Sequence, residues 1–490
     1  MNLSRIIEHW AGMAPAKVAV RCAGDDMTYA ELWRRTLVAT DGLAARGVRY
    51  GDRVAWLGLN HPDFLAFLMA CARLGAIAVP LNFRLAALEL AGVLDHAEAA
   101  LFFADPPMRA LAEAVVATSR IPLAESESLF NEGQSAAAEC AGSDDDPVML
   151  VYTSGTTGRP KGAVHTQANL LWNIAAATAS QDITSRDRLL MALPMFHVGG
   201  LNIQTLPVLN AGGTVILHPR FDPGAWLNDL ARERPTLSLL VPATIRAVQD
   251  HPDWPVTDMS SLRFINAGSS TVPLSMIQAF HARGVPVGQV YGATETGPVS
   301  IVLRAEDAFT HEGSTGKPAL HVEARLVGPD GKDVAIDQPG EIWLRGKNVA
   351  AGYWKDPANP AFKDGWFRSG DLARVDADGF YWVVGRSKDM IISGGENIYP
   401  AELENVLADC PDIVESAVIG RADDKWGEMA VAVVVPKPGS TLDAERVKAL
   451  FEGRLARYKH PREVVFAETL PKTALGKVQK DVLKERLAGV

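Results

Sequence analysis

The sequence predicts an α/β protein with three parts: a large N-terminal domain of doubly wound, largely parallel sheets, a small β-rich subdomain and a small α+β C-terminal domain. Three observations lead there. Short apolar runs alternate with helical patterns as far as Tyr291. From about Ala324 to Val384 that alternation gives way to short strands separated by Gly, Asp and Pro turns, as in Pro329-Asp330-Gly331 and Asp376-Ala377-Asp378-Gly379. After Gly385-Arg386-Ser387-Lys388-Asp389 strands and helices resume as a separate unit of roughly 100 residues, enough for a small domain. The expected boundaries are 1–386 for the N-terminal domain, 324–384 for the β-rich part and 387–490 for the C-terminal domain.

The elements follow in order. Val54–Leu59 reads as a strand, Pro62–Leu74 as a helix, and Ala76–Leu81 as the next strand. The acidic, small-residue stretch Glu125–Asp146 reads as a surface connection. Val148–Val151 is a buried strand and Asn169–Ala179 a helix, with a loop between them. Leu189–Leu193, Thr214–Leu217, Leu237–Val241, Leu262–Asn266 and Val287–Tyr291 complete the parallel strands. In the last unit Met390–Ile392 is a strand, Pro400 sits in the first turn of a helix, Val414–Ile419 and Met429–Val435 are strands, and two charged helices follow.

The loop before Asn169 is the most informative segment: Tyr152-Thr-Ser-Gly-Thr-Thr-Gly-Arg-Pro-Lys-Gly162. Its glycines let the backbone approach a polyanion closely, its hydroxyls and N–H groups donate to phosphate oxygens, and Lys161 adds charge. Gly-x-x-x-x-Gly-Lys-[Ser/Thr] occurs nowhere, so an ordinary P-loop is not expected. Asn266-Ala-Gly-Ser-Ser270 and Tyr291-Gly-Ala-Thr-Glu295 also follow strand-like runs, and ligands of parallel sheets bind where loops leave the carboxyl ends of strands. One shared cleft is the economical inference.

These segments, with Met195-Phe-His-Val-Gly-Gly200, Ser369-Gly-Asp371, Gly394-Gly-Glu-Asn397 and Gly476-Lys477, occur in an order that resembles the adenylate-forming superfamily. That superfamily includes acyl-CoA synthetases, aryl-CoA ligases, luciferases and peptide-synthetase adenylation domains. The resemblance implies that a carboxylic acid, ATP and CoA are substrates, that Mg2+ is the cofactor, and that the C-terminal domain is mobile. It assigns the phosphates to Thr153, Ser154, Gly155, Thr156, Thr157, Gly158 and Lys161. The adenine falls to Gly268, Ser269, Ser270 and Tyr291, the ribose to Asp371 and Arg386, and the α-phosphate to Thr294, with Gly292 and Ala293 also among the nucleotide-binding residues. Glu295 matches the magnesium ligand, Lys477 the catalytic lysine, Lys388 the hinge, and Gly394 and Gly395 the pantetheine tunnel. Arg220 matches a CoA-phosphate contact. His197 heads an acyl pocket that continues with Val198, Leu201, Asn202, Thr205, Val241, Ala267 and Val299, mostly apolar, which points to an aromatic or medium aliphatic acid.

Composition agrees with these expectations. Hydrophobic residues make up 48% and charged residues 22% of the chain, ordinary for a globular protein. A net charge of −10 argues against a general nucleic-acid binder, which needs a basic surface. Only the stretch from Arg446 to Val490 is basic, with 11 Lys/Arg against 5 Asp/Glu. Cys22, Cys71, Cys140 and Cys410 form no metal-ligand spacing, and a cytoplasmic setting is the default. The N-terminus lacks a signal-peptide pattern and no run suits a transmembrane helix. The oligomeric state is open. Phe196-His197-Val198 stands where peptide-synthetase domains place an Asp, and the chain stops soon after Lys477, so a free-standing acid–CoA ligase is expected. A ligase loading a carrier protein, a malonate-type dicarboxylate ligase using Arg246, and a nucleotide-binding regulator without turnover are the alternatives.

Overall fold

A computed structural model describes residues 2–119, 121–131, 140–153, 161–269, 272–393, 396–423, 426–473 and 477–488. Among these residues the strands form four sheets. In the nine-stranded sheet Val18–Cys22, Thr214–Leu217, Arg188–Met191, Leu237–Leu240, Phe264–Gly268 and Val287–Tyr291 run parallel, with antiparallel strands at both edges. In the six-stranded sheet Leu123–Glu125, Ala99–Ala104, Arg53–Leu57, Ile77–Pro80 and Pro147–Thr153 are parallel, and Lys161–Thr166 closes the edge antiparallel. The central strands are buried on both faces, which is why they read as continuous apolar runs rather than alternating ones.

The helix Pro62–Leu74 is almost wholly buried and apolar between the charged residues at its two ends, Asp63 and Arg73. Its ends are set locally. The His61 ring accepts from the Asp63 N–H, Pro62 occupies the first turn, and Gly75 closes the helix in the left-handed region at φ 69°. Phe64 and Phe67 on it pack against Trp56, with the Phe67 and Trp56 rings 4.9 Å apart.

Val322–Val327, Gly340–Gly346, Phe362–Lys363, Trp366–Val375 and Tyr381–Arg386 form an antiparallel sheet. The last sheet joins Ile391–Ser393, Glu396–Ile398, Ile413–Asp423, Gly427–Pro436 and Glu463–Phe466. Its strands alternate cleanly. Val418, Ala430, Ala432 and Val434 pack on one face with Leu403, Leu407 and Phe451, while Ala417, Ile419, Val431 and Val433 pack on the other with Leu470 and Leu483. No helix among the described residues is long and apolar enough to cross a membrane.

Three local expectations change. The phosphate-loop segment does not feed straight into a helix: Lys161–Thr166 returns as a strand against Pro147–Thr153 before the helix Gln167–Ser180 begins. Small residues at Gly162 and Ala163 hide that strand's alternation. Within Glu125–Asp146, Leu129 is fully buried in the main core, so that stretch is not wholly a surface connection. Between the two C-terminal helices lies the strand Glu463–Phe466, parallel to Gly427–Pro436.

Candidate active site

The corner where the nine-stranded sheet meets the antiparallel sheet holds three of the sequence-selected side chains. Register places Asp371 and Arg386 directly opposite each other on neighbouring strands, and Arg386 Nε lies 2.8 Å from Asp371 Oδ1. Tyr291, at the end of Val287–Tyr291, donates its hydroxyl to Asp371 Oδ2 at 2.9 Å. Asp371 follows Gly370, whose φ of 71° suits glycine. Burial, then the Asp371 charge, raises the Tyr291 pKa well above its ordinary value, so the phenol stays a donor. Burial opposes the Arg386 charge, but Asp371, with Asp389, outweighs it and raises its pKa. A carboxylate pinned by two donors has lone pairs left to accept from a diol.

Lys477 reaches this corner from the C-terminal unit. The turn before it closes with Thr473 N–H donating to the Lys477 carbonyl at 2.7 Å and Lys477 N–H donating to the Thr473 hydroxyl at 3.2 Å. The residue keeps exposed surface. Even so, the protein packed around its ammonium, and after that the Arg386 charge, lower its pKa, against the opposing pull of Asp371 and Asp389. The amine therefore lies in the field of the Asp371–Arg386 pair. Lys388, just beyond Arg386, donates to Asp481 Oδ2 at 2.7 Å.

The third cluster surrounds Glu295. Thr294–Thr296 forms a tight turn in which Thr294, Glu295 and Thr296 are all buried, and the Thr296 hydroxyl accepts from Ala293 N–H at 3.0 Å. Gly292 enters the turn so closely that a Cβ there would lie 1.6 Å from the Pro298 carbonyl oxygen. Glu295 Oε1 accepts from the Tyr353 hydroxyl at 2.5 Å, and Lys161 Nζ lies 5.1 Å from the centre of the Tyr353 ring. Thr153 and Lys161 face each other across the base of the hairpin. Gly268 ends its strand, and Ser269 follows at φ 69°, a strained value for a residue with a side chain. Ser154, Gly155, Thr156, Thr157, Gly158, Ser270, Gly394 and Gly395 lie outside the described residues.

Among the residues expected to line an acyl pocket, His197 caps the helix Val198–Asn202, its Nδ1 accepting from Gly199 N–H at 3.4 Å. Burial, then the charge of Arg84, pushes the imidazole pKa down to about 4, so it is neutral at neutral pH. Phe196 packs edge-on against Phe83, and the guanidinium groups of Arg84 and Arg220 both sit over Phe83, at 5.6 and 5.7 Å. Val198, Leu201, Ala267 and Val299 are buried. Asn202 donates to the Gly297 carbonyl at 2.8 Å and Thr205 to the Gly200 carbonyl at 2.7 Å, so both polar groups serve the local backbone. Val241 is only partly buried.

Arg84, Tyr353 and His165 lie in no sequence motif. Arg84 follows the strand Ile77–Pro80 at its carboxyl end, a position that by itself marks a ligand loop. Tyr353 has no local signal, because its partner Glu295 is far away in sequence. His165 has no exposed surface, and its ring lies against the backbone of Thr294, the residue before Glu295.

The profile of the AMP-binding enzyme family matches residues 7–354, and that of the AMP-binding enzyme C-terminal domain matches residues 402–477. The chain is 46% identical over 502 aligned residues to indoleacetate–CoA ligase of Aromatoleum aromaticum, covering 100% of this chain and 98% of that protein. The structure of an anthranilate CoA ligase in complex with anthranoyl-AMP superposes with a TM-score of 0.94 at 26% identity, covering 100% of this chain and 98% of that one. O-succinylbenzoate coenzyme A synthetase from Bacillus subtilis, in complex with ATP and magnesium ion, superposes with a TM-score of 0.89 at 31% identity, covering 99% of both chains. The chain belongs to the family of AMP-binding enzymes.

Proposed function

We propose that the protein is an ATP-dependent acid–CoA ligase that activates an aromatic carboxylic acid as its acyl-adenylate and passes the acyl group to CoA, releasing pyrophosphate and then AMP. The observation that carries this reading is the Lys477 ammonium in the field of the Asp371–Arg386 pair, a basic side chain from one unit brought to a diol-binding carboxylate on another. The similarity to ligases of indoleacetate, anthranilate and o-succinylbenzoate supports the aromatic acyl group.

In the first half-reaction a carboxylate oxygen attacks the α-phosphorus and the bond to pyrophosphate breaks. In the second a thiol sulfur attacks the acyl carbon and AMP departs. Neither step needs a protein nucleophile; the work is alignment and charge stabilisation. In this reading Asp371 and Arg386 hold the ribose, with Tyr291 fixing the carboxylate; Gly268, Ser269, Gly292 and Ala293 frame the base; and Thr153 and Lys161 serve the phosphates from the base of their loop. Thr294 donates to the α-phosphate, and Lys477 neutralises the charge that develops there. His197, neutral and at a helix start, faces the acyl carboxylate without adding a competing charge.

The magnesium ion of such enzymes fits the residues present. Glu295 is a buried carboxylate with Oε1 engaged by Tyr353, and no group of three or more His, Cys, Asp or Glu among the described residues is placed to hold a metal. A single carboxylate suits a hard cation that keeps most of its shell as water and phosphate oxygen. When bound, the ion neutralises phosphate charge.

The test is AMP release with CoA across a panel of arylacetic, hydroxycinnamic and benzoic acids and straight-chain acids. At least one aromatic class is expected to exceed every straight-chain acid by about tenfold or more in kcat/KM. Equal turnover across the panel contradicts the aromatic assignment, and no acid-dependent AMP release contradicts the ligase reading itself.

A further inference from the structure

Residues 347–354 run as a strap from the antiparallel sheet across the two elements that flank Glu295. Asn348, almost fully buried, donates to the Thr296 carbonyl at 2.7 Å, and Ala350 N–H donates to the Glu295 carbonyl at 2.8 Å. The strap then crosses to the strand Lys161–Thr166. Ala351 N–H donates to Val164 O at 2.9 Å, Val164 N–H to Gly352 O at 2.9 Å, and Trp354 N–H to Gly162 O at 2.8 Å. Asn169, which closes a capping box with Thr166 at the start of the next helix, holds the strap's beginning by donating to Lys347 O at 2.7 Å and Val349 O at 2.9 Å. Tyr353 is thus fixed at its backbone on the same frame that fixes Glu295. Its hydroxyl meets Oε1 at 2.5 Å, the short distance of a hydrogen bond to a charged acceptor.

We propose that Tyr353 is the positioning residue for the Glu295 carboxylate, engaging Oε1 so that Oε2 is presented to the divalent cation of the nucleotide complex. This rests on the ligase reading above. Among the described residues Oε2 has no hydrogen bond, and it is not a sealed buried atom. A glutamate has three torsions to settle, and pinning one oxygen removes much of the freedom with which the other could turn. Outer partners of this kind commonly change metal affinity by about 10–100-fold. The ring has a second contact, with Lys161 above it. Tyr353→Phe keeps the ring, that contact and the backbone pairing, and removes only the hydroxyl.

The experiment titrates Mg2+ calorimetrically into full-length protein saturated with α,β-methylene-ATP. Affinity for the analogue in EDTA and the thermal midpoint are measured beside it. For Tyr353→Phe, Mg2+ affinity is expected to fall about tenfold or more, with affinity for the analogue in EDTA within about twofold and the midpoint within about 2 °C of the parent. In a Glu295→Gln background the same change is expected to have no further effect, because the carboxylate it orients is gone. Unchanged Mg2+ affinity overturns the proposal, as do an equal loss in EDTA, a larger fall in the midpoint, or a full additional effect on top of Glu295→Gln. If the parent protein binds the analogue with no dependence on Mg2+, the ligase reading fails and this proposal fails with it.

Discussion

His165 and His197 are both held neutral inside the protein, with pKa values pushed down to about 4 from the ordinary 6.5, in each case chiefly by burial. The unfolded chain takes up these protons near pH 6.5, whereas the folded chain resists them until about pH 4. Between those values the unfolded state binds more protons, so stability is full above pH 6.5 and declines as pH falls toward 4. His165, with no exposed surface, accounts for up to ~1.4 kcal/mol per pH unit in that window. Urea midpoints measured from pH 7 to 4.5 are expected to fall accordingly, and His165→Leu to flatten the decline. An unchanged pH slope in that variant contradicts the assignment. At this scale the motif residues were legible because each belongs to a short pattern: Tyr291, Asp371 and Arg386 lie in separate segments, and the structure brings them within hydrogen-bonding distance. Tyr353, His165 and Arg84 belong to no such pattern. Their surroundings are made by distant chain segments, as when Tyr353 reaches Glu295 across 58 positions.

At the scale of elements, the parallel strands were legible because burial on both faces writes itself as apolar runs. The strand Lys161–Thr166 was not. Its Gly162, Ala163 and buried His165 obey neither an alternating nor a helical pattern, and its position is set by pairing with Pro147–Thr153 and with the strap. Turn geometry is just as exacting after Val287–Tyr291. A methyl group on Gly292 would meet the Pro298 carbonyl oxygen at 1.6 Å, a backbone atom that cannot simply rotate away, whereas one on Gly12, within the helix Arg5–Met13, meets nothing within 4 Å. Gly292→Ala is therefore expected to cost about 1–3 kcal/mol or more. Gly12→Ala is expected to be neutral or to stabilise by up to ~1 kcal/mol. Denaturant melts of the two variants side by side check this, and equal stabilities contradict it.

Across the whole molecule, the C-terminal unit has its own cores on both faces of its sheet, so its folding does not depend on the pose it takes against the rest. The Lys388–Asp481 pair beside the proposed hinge is exposed on both sides, and such pairs are worth about 0–1 kcal/mol, a weak restraint on movement. This pose holds Lys477 near Asp371 and Arg386, the arrangement that the proposed function assigns to the first half-reaction, with thioester formation proposed to follow once the lysine is withdrawn. The most direct test compares Lys477→Ala with the parent in acid-dependent exchange of pyrophosphate into ATP and in thioester formation from supplied acyl-AMP and CoA. Exchange is expected to fall about 100-fold or more while thioester formation stays within a few-fold. Equal loss in both assays, or undiminished exchange, would contradict it.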